Sequence, residues 1–239
     1  MVFLVGSYKL VEHTVILGYQ PEKTEEAVNL LLSDDPDLVI VLVTEKSIEN
    51  PMEDQVKFVR GNSLSDPEVI ARSAIDTADK VLVMAGNDEQ AMAVAISAGT
   101  LVNRDYLNQM VVYTNSANIS NLIMKAVPFA EVFSSTSVEQ MVRATQDPGS
   151  TAVLHMLTSH NDGPTQYINH IPKYDLEDWI DRGGKLTFGY VQDKFKKKYN
   201  AMVIGLVVAG NRNNIILNPD HDRAVDTNDK VVYIANRRV

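Results

Sequence analysis

The chain lacks several features that mark particular classes of protein. It contains no cysteine, which excludes disulfide bonds, thiol catalysis and cysteine metal sites and agrees with a reducing compartment. Its formal charge is −9, so we expect no nucleic-acid partner, because binding phosphates requires a cationic face. The strongly apolar runs, such as residues 202–209, are far too short to cross a bilayer, and the first residues lack the basic lead-in of a secretion signal. We therefore expect a cytoplasmic protein.

Apolar residues make up 45% of the 239 residues, which is enough for a substantial core. Over residues 1–135, short segments rich in Val and Ile alternate with segments typical of helices. The six strand candidates are TVILG, LVIVLVTE, VKFVRGN, KVLVMAGND, MVVYTN and AEVFSS. Strands that alternate with helices predict a parallel sheet with crossover helices, covered on both faces. The predicted fold class is therefore α/β, with a Rossmann-like lobe over residues 1–135.

Small and polar residues stand where these predicted strands end. In sheets of this kind, ligands bind beyond the carboxyl ends of the strands, near the point where the strand order reverses. The predicted ligand-binding residues are Gly18, Glu45, Gly61, Asn62, Asp88 and Asn115.

The first strand is followed by an incomplete dinucleotide-binding fingerprint. Three glycines normally allow the tight turn, the approach of the pyrophosphate and the packing of the helix. Here Gly18 is present, while Gln20 and Lys23 occupy the later positions. The glutamates Glu22, Glu25 and Glu26 favour the start of the helix through its dipole, but they repel an anion at the same place. We therefore expect that a pyrophosphate held in the usual way is disfavoured.

Two acidic residues at strand ends have alternative interpretations. Glu45 follows Gly18 by 45 − 18 = 27 residues, more than the usual distance of about 20, and it either accepts hydrogen bonds from a ribose or solvates the strand end. Asp88 either contacts a ligand or caps the helix predicted to begin at Glu89, and capping is the favoured interpretation.

The pattern changes after residue 135. Residues 136–160 predict two helices separated by Asp147-Pro148-Gly149, and their apolar residues either pack against the sheet or reach another subunit. Residues 161–239 read mostly as short strands and turns, which predicts a smaller C-terminal α+β lobe. The lysine-rich stretch KFKKKY, residues 194–199, is either a solvated face or a contact for acidic lipid or a partner.

Signals for metal binding and catalysis are weak. The histidines lack the H-E-x-x-H spacing, and no G-x-S-x-G segment marks a nucleophile. We therefore expect no enzymatic activity.

Four segments together resemble the RCK family, the regulators of potassium conductance. They are HTVILGY, FVRGNSLSDPEVIARSAIDTADKVLVMAGNDEQA, ATQDPGSTAVLHML and NIILNPDHDRAVDTNDKVVYIAN, and they extend over most of the chain. The Asn-Pro-Asp ending and the Asp-Pro-Gly crossover resemble the branch built into channels, including the CASTOR/POLLUX and calcium-gated types, more than the freestanding TrkA-type subunits.

The resemblance implies a Rossmann-like lobe, crossover helices that form a dimer interface, and a C-terminal lobe. It also implies a homo-oligomer, either a dimer or an octameric gating ring, attached to the pore segment of a potassium channel. The ligand is expected to be a cation such as Ca²⁺ or an adenine nucleotide such as NAD, AMP or ADP. Asp147, Glu22 and Glu26 are the predicted metal ligands, although a calcium site usually needs more than one charge and several oxygens.

The leading hypothesis is thus a cytosolic, ligand-sensing module that gates a potassium channel without catalysis. One alternative is an NAD-dependent oxidoreductase, which the Rossmann-like half would support. The other is a freestanding nucleotide-binding subunit of a potassium transporter, against which the missing glycines argue.

Overall fold

A computed structural model of the chain describes residues 6–134, 137–159, 163–181, 186–211 and 214–239. The chain divides into two compact units, Met1–Ser137 and Val138–Val239. This division lies close to the predicted boundary after residue 135. The boundary predicted after residue 160 falls among residues outside the described ranges.

The first unit is built on a six-stranded parallel sheet. Its strands are β1 (Thr14–Leu17), β2 (Ile40–Thr44), β3 (Lys57–Arg60), β4 (Lys80–Val83), β5 (Gln109–Thr114) and β6 (Glu131–Ser134). The strand order is β3-β2-β1-β4-β5-β6, so the order reverses between β1 and β4. Every residue of β1 and β2 is buried, as near-continuous apolar strands predict. All six predicted strands are confirmed, and the Rossmann-like fold places a crevice above the ends of β1 and β4.

Helices connect these strands, and local residues fix where they begin. They are α1 (Pro21–Asp34), α2 (Pro67–Ala71), α3 (Asp88–Leu101) and α4 (Ala117–Ala126). Proline occupies the first position of α1 and α2, where its fixed φ suits a helix and its missing N–H is not needed. The Asp66 and Asn87 side chains cap α2 and α3 by accepting from backbone N–H groups of the first turn.

The second unit combines helices with a four-stranded antiparallel sheet. Its helices are α5 (Ser137–Gln146), α6 (Ser150–Thr158), α7 (Lys173–Asp181) and α8 (Phe188–Tyr199). Its strands are β7 (Thr165–His170), β8 (Met202–Val207), β9 (Ile215–Leu217) and β10 (Lys230–Ala235), in the order β7-β10-β8-β9. The smaller α+β lobe is thereby confirmed.

Helix α8 anchors the core of the second unit. Phe188, Val191 and Phe195 recur at helical spacing and are fully buried with Tyr233 of β10. Thr187 caps the start of α8, and Asn200 ends it in the left-handed conformation. The lysine run of residues 194–199 is therefore the last part of a core helix.

Candidate functional site

The turn after β1 requires a glycine. Gly18 has a φ of +109°, and a Cβ at this position would lie 2.3 Å from the carbonyl oxygen of Met84, which follows β4. Both the conformation and the close approach exclude other residues. Gly18 thus lies where β1 meets β4, at the reversal of strand order, as a ligand crevice of this fold requires.

Gln20 stands at the second glycine position of the fingerprint and spans the crevice. Its side-chain amide donates to the carbonyl oxygen of Ala85, and more weakly, at 3.4 Å, to that of Met84. Its backbone N–H donates to the Thr24 hydroxyl at 2.9 Å, which satisfies one free donor at the start of α1. An amide side chain therefore bridges β1 and β4 where a dinucleotide-binding protein has a bare glycine backbone next to pyrophosphate.

The first turns of α1 carry three glutamates. Glu22 and Glu26 are exposed, and the Glu25 carboxylate accepts from the Tyr19 hydroxyl at 2.8 Å. Desolvation and this hydrogen bond raise the pKa of Tyr19. Among the described residues, no group of three or more His, Asp or Glu side chains is placed to hold a metal ion. The roles predicted for Glu22 and Glu26 remain predictions.

Lys23, at the third glycine position, contacts β5. Its ammonium lies 4.5 Å from the centroid of the Tyr113 ring and 3.3 Å from the Tyr113 hydroxyl. The Tyr113 hydroxyl donates to the Asn115 side-chain oxygen at 3.0 Å. A chain of contacts therefore leads from α1 to the end of β5.

Asp88 and Asn115 form the next link. The Asp88 carboxylate accepts from the Asn115 backbone N–H at 2.8 Å and from its side-chain amide at 3.3 Å. The expectation that Asp88 caps the helix is wrong, because the helix begins one residue earlier. Asn87 is the cap and accepts from the Gln90 N–H at 2.8 Å. Asp88 is therefore available to tie α3 to the end of β5.

A cleft of about 550 Å³ opens beside this link. The starts of α3 and α4 line it, with side chains that are mostly amides and carboxylates. They are Gly86, Asn87, Asp88, Glu89, Asn115, Ser116, Asn118 and Ile119. The cleft has a size typical of sites for small molecules, and it offers hydrogen-bond donors and acceptors.

Glu45 joins three segments at the carboxyl edge of the sheet. One carboxylate oxygen accepts from the Leu64 backbone N–H at 2.8 Å, and the other accepts from the Gln90 side chain at 2.5 Å. The residue is exposed, but it is not merely a solvated strand end. It connects the end of β2 with the loop after β3 and with α3.

Gly61 and Asn62 follow β3 and differ in their surroundings. Gly61 is buried, and a Cβ there would lie 2.3 Å from the Val69 side chain, so glycine lets α2 pack against the end of β3. Asn62 beside it is exposed. Gly61 thus affects the carboxyl edge of the sheet through packing. Contact with a ligand remains a prediction for both residues.

Asp147 belongs to the second unit and forms a local ion pair. Its carboxylate lies 3.0 Å from the Arg143 guanidinium one helical turn earlier, and both side chains are more than half exposed. Such a pair contributes about 0.3–0.5 kcal/mol at most. Asp147 belongs to no group of three or more possible metal ligands among the described residues, and its role as a metal ligand remains a prediction.

The helix pair α5–α6 exposes most of the apolar residues that the sequence places on it, whereas Leu157 is half-buried. Helix α6 has no buried residue, and Gly149, with a φ of +96°, makes the turn between the helices. Among the side chains that the structure describes, the exposed large apolar ones of the pair are Met141, Val142, Val153, Leu154 and Met156. These side chains therefore do not pack in the core of the second unit.

A comparison with protein families agrees with the Rossmann-like fold of the first unit. The sequence model of the TrkA-N domain family matches residues 14–135, which is just over half of the chain. The chain belongs to the TrkA-N domain family. No curated protein matches its sequence. Among the described residues, no helix of this TrkA-N protein is long and apolar enough to span a membrane.

Solved structures with a similar fold include parts of RCK gating rings. The human SLO3 gating ring superposes with a TM-score of 0.69 at 13% identity, over 95% of this chain and 44% of that chain. The GsuK RCK domain gives 0.45 at 14% identity, over 94% and 44%. The TrkA-N domain of the inner membrane protein ybaL from Escherichia coli gives 0.46 at 16% identity, over 58% and 97%. The SLO3 match shows the shared fold and confirms the predicted resemblance to the RCK family. The chain spans less than half of the SLO3 and GsuK chains.

Proposed function

We propose that this chain is a ligand-sensing regulatory module that gates a potassium channel as part of a gating ring. Its membership of the TrkA-N family and the fold that it shares with the SLO3 gating ring support this proposal. In this proposal the module is a homo-oligomer, a dimer or an octameric ring, on the cytoplasmic side of a channel pore. The role is regulatory and not catalytic.

The observation that carries the proposal is the exposed apolar face of α5–α6. A helix normally buries its apolar stripe, and contiguous exposed apolar patches mark interaction sites. A second copy of the chain offers the same face, so a twofold dimer buries both. The helix pair then connects the units of neighbouring protomers mechanically.

The carboxyl edge of the first sheet is the proposed ligand site. Asp88 joins α3 to β5, and Glu45 joins α3 to the ends of β2 and β3. A ligand that replaces one of these hydrogen bonds changes how α3 is held. Gating then follows if the ligand binds one arrangement of the ring more tightly than the other.

We propose that the ligand is an adenine nucleotide with few phosphates or a cation such as Ca²⁺. The first unit carries nine basic and 19 acidic residues, so it attracts cations and repels polyphosphates. Gln20 and Glu22 further disfavour a pyrophosphate beside Gly18. The amides of the cleft suit a base and a ribose, which bind by hydrogen bonds.

Melting temperatures test this assignment. The purified chain is heated with Ca²⁺, Mg²⁺, AMP, ADP, ATP or NAD, each in excess. Binding to the folded state raises the melting temperature. We expect a rise with Ca²⁺ or with AMP, and the rise with AMP should be larger than the rises with ATP and NAD. Asp88→Ala should remove the response. Asp105→Ala, which removes an exposed carboxylate of the same unit outside the cleft, should retain it.

Two results contradict the site. One is that no ligand raises the melting temperature, and the other is that both variants respond like the parent chain. Circular dichroism of Asp88→Ala separates loss of binding from loss of structure.

A further inference from the structure

Four cationic side chains surround one cavity of the second unit. The cavity has a volume of about 490 Å³, and its cations are Lys197, Lys198, Arg237 and Arg238. They come from two segments, the last turn of α8 and the residues after β10. The second unit carries 13 basic and 12 acidic residues, yet four of the cavity's seven lining residues are cationic and none is an aspartate or glutamate.

Two of the four cations are held in place by the protein. The Lys198 ammonium and the Tyr199 hydroxyl both contact the carboxylate of Asp175, which is only 4% exposed. The Arg238 guanidinium donates to the Asn169 side-chain oxygen at 3.0 Å. Both groups therefore keep their positions without a ligand, which lowers the entropy cost of binding one.

The segment that carries the arginines is also fixed. The Val239 backbone N–H donates to the Tyr233 hydroxyl at 2.8 Å, and its carbonyl oxygen accepts from the Asn169 amide at 2.9 Å. Tyr233 is fully buried in the core of the unit. The cavity thus has a wall anchored to the sheet.

The other two cations, Lys197 and Arg237, are exposed and have no ion pair within the described part of the chain. Cations at the end of a helix stabilise its dipole, and this explains part of the lysine run of α8. Lys196 also has a local role, because its ammonium donates to the Asn200 side chain at 2.9 Å. The helix dipole does not account for Arg237 and Arg238, which lie on a different segment, although Arg238 has its hydrogen bond to Asn169.

We propose that this cavity binds a small anion with two or more phosphate groups. Lys198 is already paired with Asp175, so the repulsion is mainly among Lys197, Arg237 and Arg238, and a polyphosphate relieves it. Arginine binds phosphate oxygens through its planar fork, and lysine binds them as a point charge. The volume lies within the range of about 300–1,000 Å³ that is common for small-molecule sites. The same chemistry is offered by a soluble metabolite and by the headgroup of a phosphoinositide.

Binding measurements with two kinds of probe test the proposal. The first is soluble inositol 1,4,5-trisphosphate, titrated by calorimetry. The second is a phosphatidylcholine vesicle with and without phosphatidylinositol 4,5-bisphosphate, assayed by co-sedimentation. The test variant is Lys197→Gln with Arg237→Gln, because neither side chain has an ion pair with another described residue whose loss would affect folding. The control is Lys173→Gln with Lys194→Gln, which removes the same charge from the same unit outside the cavity.

We expect the test variant to weaken binding at least about tenfold and the control by less than about threefold, because only the former removes direct phosphate contacts. Binding should also weaken as salt is raised from about 50 to 300 mM. Binding of vesicles that soluble trisphosphate displaces identifies a headgroup site, and binding of the soluble probe alone identifies a metabolite site. The proposal is overturned if neither probe binds, or if both variants weaken binding equally, since the charge effect is then unspecific.

Discussion

Replacement of Met141 by Gln and of Val153 by Thr tests whether α5–α6 is the surface through which two copies assemble. Both side chains are exposed in the single chain, at 69% for Met141 and 57% for Val153. The replacements have similar size and similar helix propensity, so the fold of each protomer should be unchanged. Their effect should therefore fall on assembly.

The magnitude follows from the area that a dimer would bury. Full burial of a side chain of this size contributes about 2 kcal/mol. Burial of the exposed parts of Met141 and Val153 then contributes about 1.4 and about 1.1 kcal/mol. Because a twofold dimer uses both residues from each protomer, the total is about 5 kcal/mol. Gln and Thr keep part of the apolar area, so we expect the dimer dissociation constant to rise on the order of a thousand-fold.

Sedimentation equilibrium over a range of protein concentrations measures this constant. A matched control is Val11→Thr, which removes a side chain that is 66% exposed but lies outside the helix pair. We expect the control to dissociate like the parent chain. A double variant that assembles as tightly as the parent chain would refute the assignment of the interface.

Three further predictions concern the first unit. Gly18→Ala should lower the free energy of unfolding by about 3 kcal/mol or more, because the new Cβ meets a carbonyl oxygen. The control Gly149→Ala of the second unit should lower it by only about 1 kcal/mol, because nothing lies within 4 Å of the new Cβ. Urea denaturation compares the two variants. Burial lowers the pKa of His13, so the stability that its neutral form contributes above about pH 6.5 should decrease as the pH falls below that value. The urea midpoint should therefore drop between about pH 7.5 and 5.5 in the parent chain but not in His13→Gln. An equal drop in both would exclude His13 as the cause. Gln20→Gly should cost only about 1 kcal/mol of stability and should raise the affinity for ADP in calorimetry; an unchanged affinity would show that the amide does not block the phosphate position.

The sheet of the first unit could be predicted because its signals are local. Each strand is a short run of Val and Ile that ends in small or polar residues, and helical segments separate the strands. The turn at Gly18 follows from the same kind of signal, since a glycine directly after a buried strand indicates a tight turn. The exposed apolar residues of α5–α6 were visible as stripes, although periodicity could not say what covers them.

The chemistry of the site depends on contacts between distant residues, and the sequence could not show them. Gln20 interacts with carbonyl groups more than 60 residues away, and Gln90 interacts with Glu45 from 45 residues away. The interpretation of Asp88 as a cap failed because Asn87, one residue earlier, competes for the same role and is equally suited to it. The cationic cavity combines the last turn of α8 with the residues after β10, and these segments are far apart in the sequence.

The central claim is that ligand occupancy rearranges an assembly of TrkA-N modules. Sedimentation velocity of the parent chain, with and without Ca²⁺, AMP, ADP and NAD, tests it most directly. We predict a dimer or larger species whose sedimentation coefficient changes with at least one of these ligands. A monomer at every concentration, unchanged by each of them, would contradict the claim.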